Sequence, residues 1–191
     1  MAYDLKNVFY LDTSATVTLG TGGGGSAQLD LSAYIDPIAR GRQKGTGLAV
    51  YKAHFSLINS QDSNEAAPEN SETGVLTYSL QAGAGLGDIA TGGISTAAGN
   101  TAFDASNQLL VAAGNFYGAA SYDGAQSMMQ DYLMPSKDVP YVIVRDNVCM
   151  VYNVSTSAQF ESTSTLACRL ECAIITLDQA TLNQLLRTQT V

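Results

Sequence analysis

The chain has 191 residues, 46% of them apolar, and a formal net charge of −8 from 17 acids against 9 bases. That is long and apolar enough for one domain with a sizeable core, which excludes disorder throughout. The acidity works against broad contact with a nucleic-acid backbone, and one histidine, no tryptophan and 14% charged residues leave little material for a reaction centre.

Residues 1–11 lack a basic segment followed by an apolar one, so no secretory signal is expected. No run approaches the ~20 apolar residues of a membrane span. Residues 7–19 (NVFYLDTSATVTL) are rich in β-branched and aromatic types and read as one or two strands. The run Thr21–Ser26, with four consecutive glycines, reads as a flexible turn. In 29–35 (LDLSAYI) apolar and polar residues alternate, which predicts a half-buried strand ended by Pro37.

Residues 47–58 (GLAVYKAHFSLI) form the longest candidate strand. Strict alternation puts Ala49, Tyr51, Ala53, Phe55 and Leu57 on a core face. It puts Leu48, Val50, Lys52, His54, Ser56 and Ile58 on a mixed one. The acidic stretch 59–74 has nothing apolar to bury and reads as an exposed loop. A strand is predicted over 74–81 (GVLTYSLQ). The small-residue stretch 82–100 is long for a loop inside a domain, and such loops carry contacts or motion.

Residues 108–117 (QLLVAAGNFY) read as a strand with Gly114 at a bulge, and 125–133 (AQSMMQDYL) as a short helix. After Pro135 and Pro140, the segment 141–154 (YVIVRDNVCMVYNV) suggests a hairpin turning at Arg145-Asp146-Asn147. Residues 165–177 form a further long strand with Leu166, Cys168, Leu170, Cys172 and Ile174 sharing one face. In the tail, 178–191, Asp178 is a good N-cap, and Leu182, Leu185 and Leu186 share one side of a helix over 179–187 that ends on Arg187. This predicts a short helix docked on the sheet or on a neighbouring copy. No repeat or linker divides the chain, so 1–191 is expected to be a single all-β antiparallel sandwich, since the helical crossovers of an α/β fold are missing.

Candidate chemistry is sparse. His54 has no cysteine or carboxylate at ligand spacing in the sequence, and a zinc site needs about four ligands. It reads as an exposed or hydrogen-bonded strand histidine. There is no Gly-x-Ser-x-Gly elbow, and any serine triad would need that same histidine. The glycines of 83–87 lack both the dinucleotide spacing and a Walker lysine. With 3 cysteines at least one is unpaired. Cys168 and Cys172, four residues apart on one strand, are roughly 13 Å apart, too far to bridge. Buried free thiols are expected, and no cofactor or metal. The one basic concentration is Arg40, Arg42 and Lys44, joined by Lys52. As a functional group of cations it would be a subunit contact, its counterpart the acidic loop between Asp62 and Glu72.

About eight strands (7–19, 29–35, 47–58, 74–81, 108–117, the two arms of 141–154, and 165–177), small-residue loops, low charge and a docked tail give the chain its character. In these features it resembles the single jelly-roll capsid proteins of icosahedral viruses. The resemblance implies an eight-stranded jelly roll and a structural subunit, without catalysis, that self-assembles into a virion with copies of itself and other capsid proteins in the host cytoplasm. Residues 1–20 hold one base, Lys6, and so lack the basic arm with which many capsid proteins package nucleic acid. The resemblance therefore implies that an internal viral membrane or another protein layer separates shell from genome. Two other classes fit the same composition: a glycan-binding or host-attachment sandwich, and a phage tail-tube or decoration protein.

Overall fold

A computed structural model describes residues 7–17, 23–36, 44–59, 73–83, 103–121, 124–154 and 163–189. In chain order it has nine strands and one helix: β1 (Phe9–Val17), β2 (Gly23–Asp30), β3 (Lys44–Asn59), β4 (Thr73–Ala82), β5 (Leu110–Ser121), β6 (Gly124–Leu133), β7 (Tyr141–Ile143), β8 (Asn147–Val154), β9 (Ser164–Asp178) and α1 (Gln179–Thr188). They form a four-stranded sheet ordered β1-β9-β3-β7 and a five-stranded sheet ordered β2-β8-β4-β5-β6.

All strand pairs are antiparallel. β1 pairs with β9, β2 with β8, β3 with β7 and β4 with β5. The chain is thus one long hairpin with its tip at β4–β5, rolled so that successive rungs fall alternately in the two sheets. That wiring is a jelly roll. β6 is the additional strand, laid on the open side of β5.

The core lies between the sheets and includes Leu48, Leu76, Phe116, Met150, Leu166 and Leu170, all fully buried. β1 and β9 supply it by clean alternation. Phe9, Leu11, Ala15 and Val17 face the core, while Tyr10, Asp12, Ser14 and Thr16 are exposed.

β3 departs from alternation. Its pairing with β9 passes from Val50↔Cys172 to Lys52↔Glu171, leaving Tyr51 as an extra residue. A bulge shifts the side-chain phase by one. Before it Leu48 and Val50 face the core; after it Ala53 and Leu57 do. Ala49 and Tyr51, expected in the core, instead make a small outer cluster with Ala173. Ile174, expected on the core face of β9, is 45% exposed: it pairs with Leu48, past the point where β1 ends at Phe9 opposite Cys172.

Four further expectations are corrected. The glycines of 23–25 belong to strand β2. Residues 31–36 make a turn instead of a strand. There the amides of Tyr34 and Ile35 both donate to the Leu31 carbonyl, so Leu31 and Ile35 are buried by one helical turn; a spacing of four suits either period. Residues 125–133 are strand β6. The segment 141–154 is no hairpin, because β7 and β8 lie in different sheets and Arg145–Asn147 is the corner between them. The register slip between Ala113 and Gly114 in the β5–β6 pairing matches the bulge expected at Gly114. The stretches 60–72 and 84–102, which hold most of the two predicted loops, lie outside the described residues.

The C-terminal helix is as the sequence predicts. The Asp178 side chain accepts from the Thr181 amide at 2.7 Å. Leu182 is fully buried against Val144 and Leu177, with Leu185 and Leu186 packed alongside. The helix docks on the chain's own four-stranded sheet.

Candidate interaction surface

One cross-strand row of the five-stranded sheet explains why glycine falls within its strands. Gly25 on β2 faces Tyr152 on β8, Tyr152 faces Tyr78 on β4, Tyr78 faces Gly114 on β5, and Gly114 faces Asp131 on β6. The two tyrosines lean apart, each over a glycine. A Cβ on Gly25 would lie 2.5 Å from the Tyr152 hydroxyl, and one on Gly114 would lie 2.5 Å from that of Tyr78. The Tyr152 hydroxyl donates to the Thr16 carbonyl at 2.7 Å, tying the two sheets together. The Tyr78 hydroxyl donates to Asp131 Oδ1 at 2.8 Å. Burial first, and then the Asp131 carboxylate, raise the Tyr78 phenol far above its ordinary value.

The outer face of the four-stranded sheet has two characters. At one end α1 and the Ala49–Tyr51–Ala173 cluster cover it. At the other, β1, β9 and β3 carry a polar stripe. Asp12 pairs with Arg169 and Arg169 with His54; Tyr10 pairs with Glu171 and Glu171 with Lys52. All of these but Lys52 line an open concavity of about 710 Å3, which also takes in Ser14 and Ser56. Arg169 Nε donates to Asp12 Oδ1 at 2.7 Å, and His54 Nε2 lies 2.9 Å from Glu171 Oε1. The Glu171 carboxyl is held below its ordinary value, first by the His54 hydrogen bond and further by Lys137 and Lys52. Asp12 likewise raises the Arg169 guanidinium. Both side chains of the Arg169–Asp12 pair are 63% exposed, so the pair is heavily screened by water. Tyr10 stands beside it, 59% exposed.

Of the predicted contact residues the structure describes two, Lys44 and Lys52, which stand apart. Arg40 and Arg42 lie outside the described residues. Lys44 is exposed at the first position of β3, and Lys52 is exposed in the polar stripe. Eight residues of extended chain put their backbones about 25 Å apart, and the Tyr51 bulge turns them to opposite sides of the sheet. In the β3–β9 register Lys44 stands opposite Asp178.

His54 is a hydrogen-bonded strand histidine. Among the described residues no group of three or more His, Cys, Asp or Glu could hold a metal ion. All three cysteines are free and buried. Desolvation pushes the Cys168 and Cys172 thiols up to about 12.

Reasoning from the sequence missed one element of this surface, the buried Gln189. Its Oε1 accepts from the Val144 amide at 3.1 Å, its Nε2 donates to the Val142 carbonyl at 2.6 Å, and its own carbonyl accepts from Arg145 Nε at 2.7 Å. The amide thereby takes the place of a neighbouring strand along β7. A glutamine just past a helix carries no pattern that announces this.

No protein-family model matches the chain, and no curated protein matches it. Among solved structures it is similar to VP1 of the trichodysplasia spinulosa-associated polyomavirus, a jelly-roll capsid protein. In complex with GM1 oligosaccharide, that structure has 6% identity and a TM-score of 0.44 over 93% of this chain and 97% of the other. In complex with 3'-sialyllactose, the values are 7% and 0.43 over 91% and 97%. At such identities the fold rests on the strand wiring of this chain itself.

Proposed function

We propose that this protein is a structural subunit of a viral shell, self-assembling with copies of itself and other capsid proteins and performing no catalysis. The observation that carries the reading is the jelly-roll body: among the described residues, Cys168, Cys172 and Tyr78 are buried in the core, and His54, Glu171, Asp12 and Arg169 are paired on an open face. The Cys168 and Cys172 thiols and the Tyr78 phenol have their pKa values raised by burial inside the sandwich. Perturbed groups at active sites instead converge on a cleft. His54, Glu171, Asp12 and Arg169 are bonded to one another in a concavity open to water. In this reading the net acidity leaves genome contact to a membrane or another protein layer, and Arg40, Arg42 and Lys44 contact an acidic neighbour.

Negative-stain imaging and gel filtration of the full chain test this. Rings or closed particles are expected, and Arg40→Glu, Arg42→Glu and Lys44→Glu together should weaken assembly at low salt. A strict monomer at all concentrations overturns the reading. The second reading, a glycan-binding sandwich, is favoured by Tyr10: an exposed ring beside paired carboxylate and guanidinium groups suits the apolar and hydroxyl faces of a sugar. A monomer that binds a glycan array, and loses binding on Tyr10→Ala, would establish it instead.

A further inference from the structure

Each sheet has two edges, and an unpaired edge is a template for another chain unless something blunts it. Three of the four edges here are blunted. β7 is only three residues long, and Gln189 occupies its backbone groups. β1 and β2 end the two sheets on one side of the sandwich and lie against each other, where the Tyr152 hydroxyl also engages β1.

The fourth edge is β6. It runs for ten residues, GAQSMMQDYL, with no lysine, no proline and a single charge. That charge, Asp131, accepts the Tyr78 hydroxyl. Among the described residues β6 pairs only with β5. Its one irregularity is at the far end, where Gly114 pairs with Asp131 and Ala113 with Leu133, leaving Tyr132 extra. The Tyr132 hydroxyl is tied to the Phe103 carbonyl at 2.8 Å. Outward from the sandwich, Met128 is 56% exposed and its cross-strand partner Tyr117 39% exposed.

We propose that β6 is a joining edge at which two copies of this chain pair, β6 to β6 and antiparallel about a two-fold axis, continuing the five-stranded sheet across both. The sequence of β6 specifies a second copy as the occupant. With one charge in the strand, a self-pairing centred near Met128 opposes no like charges, which directly opposed would be destabilising. The two-fold places both Met128 side chains together and sets a Tyr117 on either side, joining two exposed apolar pairs into one covered strip. The contact is isologous and closes as a dimer. This inference deepens the shell-subunit reading, and rests on it only for what such dimers go on to build.

Sedimentation velocity on the full chain, with and without Met128→Lys and Gln130→Lys together, tests the proposal. Both positions are exposed, so folding should be retained, with a circular dichroism spectrum and melt close to wild type. The wild type should sediment as a dimer or larger and the double variant as a monomer. Because all three native cysteines are buried, Met128→Cys supplies one accessible thiol, and a short bis-maleimide should link it to its mate. A wild type that stays monomeric overturns the proposal. So does a double variant of wild-type size together with no cross-linked Met128→Cys dimer; particles seen for that variant would leave the shell reading intact. A wild-type dimer that never builds particles supports the β6 edge and overturns the shell reading alone.

Discussion

Gly25 and Gly114 are neighbours of tyrosine rings, and their value lies in the missing side chain. A glycine inside a strand is entropically unfavourable, so propensity alone says that alanine should help. The contact says the reverse, because the new methyl would meet the Tyr78 hydroxyl at 2.5 Å and the Gln130 carbonyl at 2.8 Å. Gly114→Ala is expected to cost about 1–3 kcal/mol through overpacking. In a chain of this size that lowers the midpoint of a thermal melt by roughly 2–4 °C per kcal/mol. A rise in the midpoint would mean that the Tyr78 ring is free to move aside. From the sequence the glycines could be read only as turn or bulge positions. Which residue fills the space above them depends on strands about 35–130 residues away in the chain.

At the scale of elements, termination is set by a few local bonds. Asp30, Asp104 and Asp178 each accept a backbone amide two or three residues on, from Ser32, Ser106 and Thr181. Those bonds lower all three carboxyls from the ordinary 3.8. A carboxyl depressed in the folded state contributes stability that is full above its unfolded value and fades as pH falls through the folded one. The contribution of these three caps should therefore be constant above about pH 5 and decline below 3.8. Asp178→Asn keeps a good N-cap without a titrating group, so its denaturation midpoint should fall less steeply with acid than that of the wild type in parallel urea titrations.

At the other end of α1, Gln189→Ala strips the Val144 amide and Val142 carbonyl of their partner. Leaving such buried groups unsatisfied costs about 1–3 kcal/mol. The same substitution should speed amide exchange at Val144, which hydrogen-exchange mass spectrometry would read. The Asp178 cap was legible in the sequence because capping is local; the Gln189 clamp was not, because its partners lie 45 and 47 residues away.

The whole molecule places its three thiols in two environments. Cys168 and Cys172 lie between the sheets, while Cys149 is buried with Val151 on the outer side of the five-stranded sheet, against Phe103. Native protein is expected to resist an aqueous thiol reagent at all three. Cys149 should be labelled first, since uncovering an outer face needs only local opening whereas parting the sheets is global unfolding. Peptide mass spectrometry along a labelling time course decides this, and equal rates at all three would mean that one cooperative opening exposes them.

Composition and short-range pattern were enough to determine an all-β antiparallel fold, most of its strands and the capped terminal helix. Alternation, β-branching and capping act over a few residues, so they are written locally. Tertiary structure alone decided the rest. The extra residue at Tyr51 inverted the two faces of β3 midway, and no composition rule marks where a partner strand skips a residue. Glycines became strand because tyrosines from neighbouring strands cover them. Met128 and Met129 became edge strand instead of helix because β5 offered an open ladder beside them, and a ten-residue segment takes the hydrogen bonds its neighbours provide.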